Sequence, residues 1–501
     1  MNRLKIRYIT TLLFTITMFG AIYSQNTDSL KQYVEIAGLN NPGVIADFMT
    51  YKATLQKVPQ AGAYQDPVFE IGFFLEPMEL IGGKQVAQFK LMQMFPWFGT
   101  KKSAQNEAVY MAKIAFEKFR NTRDNLYLQV YTQWYVLCNL QQQLNNNREN
   151  KILLNQLEQL SMRKFSSSST GQTTTYSSFP ITKSTSSKTS SSRSSKMSEM
   201  TSMDKENTPA SAQSSKTTSI SSSNSMSGEM SNKTSGGMSN VLRIQLEIAE
   251  LDNNIESIIS EMKAEKAKFN VFLNRSSDSE IQIPNTFAAI PFLFDTEKFI
   301  TAIEEQNPML SIINEEKNAY KAKTELDKKM SYPMFGIGLQ YMLNNKTNMS
   351  AFAMGNMNGK DMVMPMVSVS IPLYRNKYKA QQRESKLLQQ ASKEKYADTY
   401  NQLTAELYQS KHMLDDASRK IILYKKQTEL AKTTYNLIVQ EFVAGKSDLT
   451  NVIQVQRQLL NYQLKASEAV ANYNTMVASI QKLISFKNTE KNTNAIYYGN
   501  K

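Results

Sequence analysis

Methionine is the residue type whose spacing in this 501-residue chain could carry chemistry, with 27 copies unevenly spread. Six of them lie in three short segments, where they share one alternating face with glutamine, lysine or serine, and three recur at every third position within a Ser/Thr-rich segment. The candidate contacts are Met92, Met94, Met334, Met342, Met364, Met366, Met197, Met200 and Met203. Thioether sulfur is a soft donor that prefers Cu(I) and, by the same logic, Ag(I). The pattern indicates contacts for such ions but assigns no closed metal site, and methionine as an adaptable filler is the alternative.

Single copies of cysteine and histidine exclude whole classes of enzyme chemistry. A Ser-His-Asp site would have to use His412, which lies in a Gln/Leu/Lys-rich helical run with no nucleophile motif nearby. A zinc site needs several more Cys or His ligands than Cys138 and His412 supply. We therefore expect both residues to be structural, and we predict a protein that is not an enzyme and has no cofactor.

The net charge of +14 permits nucleic-acid binding, but the sequence has no basic-aromatic cluster to support it. We expect no nucleic-acid partner and interpret the positive surplus as a solvated surface, one that could face acidic lipids.

Residues 1–24 have the layout of a secretory signal peptide, with a basic start, an apolar run through Tyr23 and small or polar residues near Ser24. A single-span anchor is the alternative, although the run is short and broken by threonines. Beyond it, no stretch reaches the roughly 18 apolar residues that a spanning helix needs. We expect the mature chain to leave the cytoplasm.

The sequence contains an internal repeat, because "DPVFEIGFFL" at 66–75 resembles "YPMFGIGLQY" at 332–341. The identical pairs are Asn41-Pro42 with Asn307-Pro308, Pro67 with Pro333, Phe69 with Phe335, Ile71 with Ile337, Gly72 with Gly338 and, at a spacing ten residues longer, Pro96 with Pro372. The ten extra residues fit the polar, glycine-bearing segment 344–360, and insertions belong in loops. The chain is therefore interpreted as two copies of one plan.

Period-two alternation predicts a β-hairpin in each copy, at 67–96 and 333–372. Apolar residues occupy one face of each strand, while glutamine, lysine, serine and methionine occupy the other. Strands of about 8–11 residues suit a tilted membrane strand, with the polar face toward a water-filled lumen. Pro365 is tolerable at a bulge or a strand start. A soluble sheet with one face on a core is the alternative.

Long helices are predicted to follow each hairpin, because residues 101–165 and 376–443 contain no proline or glycine. A heptad seam runs from Val452 to Leu483, and moving back 211 residues gives apolar residues at nine of ten matching positions. The predicted long segments are 97–165, 240–273, 373–443 and 444–487, the last with a turn. Shorter helical segments are expected at 25–66 and 295–332, a linker at 274–294 and a tail at 488–501.

Four membrane strands per chain cannot close a barrel, since single barrels begin at about eight strands and an open sheet edge cannot lie in lipid. Three copies would supply twelve strands. The predicted fold class is therefore mainly α with membrane β: an internally duplicated protomer in a trimeric, twelve-stranded barrel above long coiled-coil helices.

On this plan, with its Asn-Pro openings and the helix turn "VQEFVAGKSDLTNVIQVQ", the chain resembles the TolC family of outer-membrane efflux proteins, including the heavy-metal branch typified by CusC. The resemblance implies a passive homotrimeric channel in the cell outer membrane, extending into the periplasm. It also implies two partners, a periplasmic adaptor (a membrane fusion protein) and an inner-membrane pump of the RND type. The substrate would be Cu(I), Ag(I) or another heavy-metal ion; drugs or secreted polypeptides are the alternatives.

The resemblance also places a closable gate at the helix turn. Its residues here are Val443, Gly445, Lys446, Ser447 and Asp448, with Asn451 and Gln454 just inside and Asn240 and Arg243 at the matching positions of copy one. Family members often carry acidic residues at the two inner positions, so an acidic ring is not expected here. Asp448 is the nearest carboxylate, and a helix N-cap is its alternative role.

Copy one carries an insert, 166–239, with 28 Ser and 12 Thr among 74 residues. Such a segment buries too little apolar surface to offset its ordering entropy, so we expect it to be disordered at the periplasmic end.

A rival interpretation of the whole chain is a coiled-coil structural or adhesive surface protein that transports nothing.

Overall fold

The computed structural model describes residues 30–76, 79–80, 83–169, 236–285, 287–347 and 358–486. The predicted signal peptide, the tail 488–501 and most of the Ser/Thr-rich insert lie outside these residues. The chain divides into two compact units, one formed by Leu154–Glu247 and the other by the rest of the chain. The structure has helices at both ends of the insert, since they reach Ser169 and restart at Gly236, about four residues beyond the predicted limits.

The elements follow the predicted order of short helices, hairpin and long helices, twice. In chain order they are α1 (Leu30–Asn40), α2 (Pro42–Leu55), α3 (Lys57–Ala61), β1 (Val68–Phe73), β2 (Glu79–Leu80), β3 (Gly83–Phe95), α4 (Thr100–Ser169), α5 (Gly236–Phe272), α6 (Thr296–Gln306), α7 (Pro308–Met330), β4 (Met334–Asn345), β5 (Met362–Ser370), α8 (Arg375–Val443) and α9 (Leu449–Leu483). No helix within these described ranges has the length and apolar character needed to cross a membrane.

The two hairpins form a single antiparallel sheet in the order β1-β3-β4-β5, with the two-residue β2 paired to the start of β3. Strands β3 and β4 join the two copies, with Phe95 opposite Phe335 and Lys84 opposite Asn345. A register shift between Gln85 and Ala87 marks a bulge. The prediction for Pro365 was wrong: it lies in the middle of β5, opposite Leu339, on a strand that has a neighbour on only one side within this chain.

Two clusters of buried hydrophobic residues join short helices to long helices, and the first also includes Ala471 and Ala478 of α9. In copy one, Tyr33 of α1 packs against Trp134 of α4 and Phe269 of α5, with ring centroids 5.4 and 5.3 Å away. In copy two, a separate cluster joins Ile303 and Leu310 to the long helices α8 and α9. The heptad seam contributes Ile255, Ile258, Met262 and Phe269 to the first cluster and Ile480 and Leu483 to the second.

The two Asn-Pro openings perform the same task in both copies. The Asn41 side chain accepts a hydrogen bond from Gly43 N (3.0 Å) and donates to the carbonyl of Phe272, the last residue of α5 (3.2 Å). Asn307 accepts from Met309 N (2.9 Å) and donates to the carbonyl of Leu483, the last residue of α9 (2.9 Å). Each asparagine therefore caps the start of one helix and satisfies the end of another.

The ends of α5 and α9 match at the 211-residue spacing of the seam. Arg275 N donates to Asn270 O (3.0 Å), and Phe486 N donates to Gln481 O (3.2 Å). The intervening residues Asn274 and Ser485 have φ values of 53° and 61°. A left-handed residue just beyond the last turn is the usual helix stop, and here non-glycine residues fill it in both copies.

A buried polar junction ties α4 to the second copy. Asp124 accepts from Ser485 Oγ (2.5 Å) and lies beside the Arg123 guanidinium, with N–O contact at 3.1 Å. Burial raises the pKa of the Asp124 carboxyl, and the Arg123 charge is the largest influence opposing that rise. Arg120 donates to Ser485 Oγ (3.0 Å). The junction fixes the turn after α9 against the first copy.

Candidate functional site: the polar sheet face and the helix turn

The register of the sheet assigns every strand residue to one of two faces. One face carries apolar side chains, most of them exposed: Phe69, Ile71, Phe73, Phe89, Leu91, Phe335, Ile337, Leu339, Val363, Val367 and Val369. The opposite face carries polar groups and methionines. There Lys90 Nζ forms an ion pair with Glu70 (2.9 Å), and Gln340 donates to Gln88 (3.0 Å). These contacts bridge β1, β3 and β4, so the polar face is a connected surface.

Methionines from two strands meet on this polar face above two glycines of β4. Gly338 lies between Met92 of β3 and Met366 of β5 in the register, and Gly336 lies between Met94 and Ser368. The Ser368 hydroxyl is 3.7 Å from the Sδ atoms of both Met92 and Met94. The absence of a side chain on β4 lets the flanking strands touch across it.

The other predicted methionine contacts of the strands lie on the same face. Met334 is opposite Ser370, Met364 is opposite Gln340, and Met342 is between Gln88 and Met362. Met362 was missed by the sequence reasoning, although it lies two residues before Met364 on β5 and therefore on the same face. Met197, Met200 and Met203 lie outside the described residues.

Aromatic rings cluster where the sheet meets the long helices. Trp97, just after β3, stacks on Tyr332 (5.2 Å between centroids) and on Phe335 (5.8 Å). Lys101 Nζ lies over the ring of Tyr64, 3.0 Å from its centroid. Amphipathic rings beside an apolar band are typical of the boundary between membrane and water.

The helix turn between α8 and α9 is a Schellman ending followed by an N-cap. Gly445 has a φ of 74°, its N–H donates to Phe442 O (3.1 Å), and Lys446 N donates to Glu441 O (2.8 Å). Asp448 then opens α9 by accepting from Thr450 N (3.4 Å). The structure thus gives Asp448 the capping role that the sequence left open as an alternative.

The remaining predicted gate residues lie around this turn or on α5. Val443 ends α8, Lys446 and Ser447 lie in the turn, and Asn451 and Gln454 are exposed on the first two turns of α9. Asn240 and Arg243 lie near the start of α5, in the compact unit Leu154–Glu247. Their part in a gate stays a prediction.

Residues 300–485, which contain α7, both strands of the second hairpin, α8 and the turn, match the family model described as outer membrane efflux protein. This segment, a little more than a third of the chain, is similar to the outer membrane efflux protein family. The sequence-based recognition of a TolC-type channel is therefore confirmed.

Solved channel structures extend the efflux-protein fold to both copies. The chain is similar to VceC of Vibrio cholerae, with a TM-score of 0.62 at 11% identity, covering 91% of this chain and 96% of that one. It is also similar to CmeC of Campylobacter jejuni (0.62, 10% identity, 93% and 89% covered) and to CusC (0.63, 11% identity, 93% and 95% covered). No curated protein matches the chain by sequence. At these identities the likeness shows the fold, so the predicted protomer of long helices with one small sheet is confirmed, and the trimeric twelve-stranded barrel stays a prediction.

Proposed function

We propose that the chain is the outer-membrane channel of an efflux system, passively conducting substrate across the outer membrane and extending into the periplasm. The observation that carries this proposal is the sheet with its two opposed faces. Its apolar face is solvent-exposed in the isolated chain, with Ile337 at 62% and Val367 at 79% exposure. An exposed apolar surface of this extent marks an interaction surface. Because aromatic rings flank it, lipid acyl chains are the contact that suits it best.

The two edges of the sheet support a barrel shared between copies. Strands β1 and β5 end the described sheet, so each presents backbone groups on one side that need partners in lipid. Pairing β5 of one copy with β1 of the next would satisfy them. Three copies would give a twelve-stranded wall around the polar face, within the range of known membrane barrels.

Exposed leucines on α8 support contact between helices of neighbouring chains. Leu423, Leu430 and Leu437 recur every seven residues and are 48%, 58% and 57% exposed. A heptad repeat of exposed leucines is a coiled-coil seam without a partner in its own chain. We propose that this seam packs in the homotrimer or against a periplasmic adaptor, which would link the channel to an RND-type inner-membrane pump.

Two substrate classes fit this channel. The methionine-bearing polar face favours Cu(I) or Ag(I), because thioethers are soft donors. Drugs or polypeptides are the second candidate, favoured by the glutamine, serine and lysine groups on the same face. A strain lacking the protein should become copper- or silver-sensitive in the first case. Unchanged metal tolerance with raised sensitivity to dyes or detergents would favour the second.

Conductance separates the channel from the rival coiled-coil adhesin. Purified protein added to a planar lipid bilayer should give discrete, voltage-independent current steps, because the polar face would line a water-filled pore. An adhesin would give none, and absence of current from correctly folded, detergent-extracted protein would overturn the proposal.

A further inference from the structure

We propose that Met92, Met94 and Met366 form a binding site for one soft monovalent cation, Ag(I) or Cu(I), on the polar face of each chain's sheet. The proposal rests on the proposed function in one respect, namely that this face lines the conducting path. Of the methionines on the polar face, the proposal selects these three, which lie next to one another in the strand register.

The glycines of β4 create the site. Residues on next-but-one strands are about 9.5 Å apart and are normally separated by the side chain between them. Here the intervening positions are Gly336 and Gly338, so side chains of β3 and β5 can lie over the β4 backbone. A Cβ added at Gly338 would meet the methyl carbons of Met92 at 3.5 Å and Met366 at 3.6 Å. A Cβ at Gly336 would lie 2.6 Å from Met94 Sδ.

The Ser368 hydroxyl marks the point on which two of the sulfurs converge. Its oxygen is 3.7 Å from both Met92 Sδ and Met94 Sδ. A hydroxyl has one hydrogen to donate, so it can satisfy only one of two weak sulfur acceptors well at a time. A cation placed among the sulfurs could bind both Met92 Sδ and Met94 Sδ at once. The flexible thioether side chain of Met366 can adjust to bring a third sulfur into contact.

The donor set selects for charge as well as softness. Three thioethers and a hydroxyl are neutral, and Lys90, which lies two residues before Met92 on the same face of β3, is paired with Glu70. Within the described residues, no group of three or more His, Cys, Asp or Glu is placed to hold a metal ion. A neutral sulfur site suits a weakly hydrated monovalent ion and gives little to Zn²⁺ or Mg²⁺, which need imidazole, thiolate or oxygen ligands.

The next rung of the sheet supplies a matched control. Met364 lies on the same face, but Gln340 of β4 stands opposite it and itself bonds to Gln88. The β3 residue on the other side of Gln340 is Lys90, so Met364 has no methionine of β3 across β4 from it. Met364 thus has the residue type and the face of the proposed ligands without their convergence.

The test is Ag(I) titration of the purified full chain in chloride-free buffer, by calorimetry, with leucine variants that preserve side-chain volume. Met92→Leu, Met94→Leu and Met366→Leu should each weaken one Ag(I) site per chain by at least about tenfold, since even outer-shell changes act on that scale. Met364→Leu should leave that site unchanged, and Zn²⁺ should not compete. Cys138 should not contribute, because it is buried and burial raises the pKa of its thiol to about 12.

Equal effects of Met364→Leu and the three ligand variants would overturn the site, as would unchanged binding in all four. Gly336→Ala provides a second readout, because it removes no sulfur yet should weaken binding by displacing Met94. Planar-bilayer conductance of the same samples separates the two proposals. Normal conductance without the site refutes the site alone, whereas Ag(I) binding without conductance refutes the channel.

Discussion

Replacing Asn307 with alanine should loosen two helix ends at once. The side chain is 2% exposed and makes two hydrogen bonds, one from Met309 N at the start of α7 and one to the Leu483 carbonyl at the end of α9. Alanine removes the cap, which costs about 1 kcal/mol. It also strands a buried carbonyl, which costs about 1–3 kcal/mol. The local opening free energy should therefore fall by about 2–4 kcal/mol.

Hydrogen exchange followed by mass spectrometry measures this loss where it occurs. Since 1.4 kcal/mol is a tenfold change in an equilibrium constant, exchange should accelerate about fivefold at the first amides of α7 and about 5- to 140-fold at the end of α9. Asn307→Ser is the first control, because serine keeps the cap but cannot reach Leu483. It should preserve the start of α7 and loosen only the end of α9.

Asn41→Ala is the matched variant in copy one. Asn41 is half-buried and its bond to the Phe272 carbonyl is longer, at 3.2 Å, so water can replace part of what is lost. Its effect should be smaller, about 1–2 kcal/mol. An effect of Asn41→Ala equal to or larger than that of Asn307→Ala would refute the argument that burial of the acceptor sets the magnitude.

Three further experiments test the turn and the assembly. Gly445→Ala should destabilise the turn by about 1–2 kcal/mol, entirely through its positive φ, because a Cβ there meets nothing within 4 Å; exchange at 443–448 would show it. Asp448→Ala should lower the stability of the start of α9 by about 1 kcal/mol, and Asp448→Asn should lower it almost not at all. Both variants should leave the reversal potential in a bilayer unchanged. A change of ion selectivity in the Asn variant would show that the charge of Asp448 matters, and not its capping. Native mass spectrometry of detergent-extracted protein should give three chains per particle, and single chains would contradict a shared barrel.

Much of the fold could be predicted because its signals are local or periodic. Alternation predicted the strand faces, absence of proline and glycine predicted α4 and α8, and the repeat spacing paired Asn41 with Asn307, which make equivalent hydrogen bonds in the structure. The pairing of β3 with β4 could not be predicted, since it joins residues about 250 apart and leaves no local pattern. Neither could β2, which is too short to show a period.

The candidate site shows the same division. Alternation placed Met92, Met94 and Met366 on one face, but it could not show which sulfurs meet. That depends on Gly336, Gly338 and the register of three strands. At the turn, a carboxylate before a helix is consistent with a cap or with a gate residue. The 3.4 Å contact from Thr450 N to Asp448 shows the cap, and a gate role for Asp448 stays a prediction.

The central claim is that one face of the sheet is wet and the other contacts lipid, and adjacent cysteines test it most directly. Met364→Cys and Val363→Cys place single thiols on opposite faces of β5, at residues 37% and 57% exposed in the isolated chain. Native Cys138 is buried, so the two variants can be made without removing it. In reconstituted vesicles, a charged methanethiosulfonate should label position 364 rapidly and position 363 hardly at all. Equal labelling at both positions, or faster labelling at 363, would contradict the account.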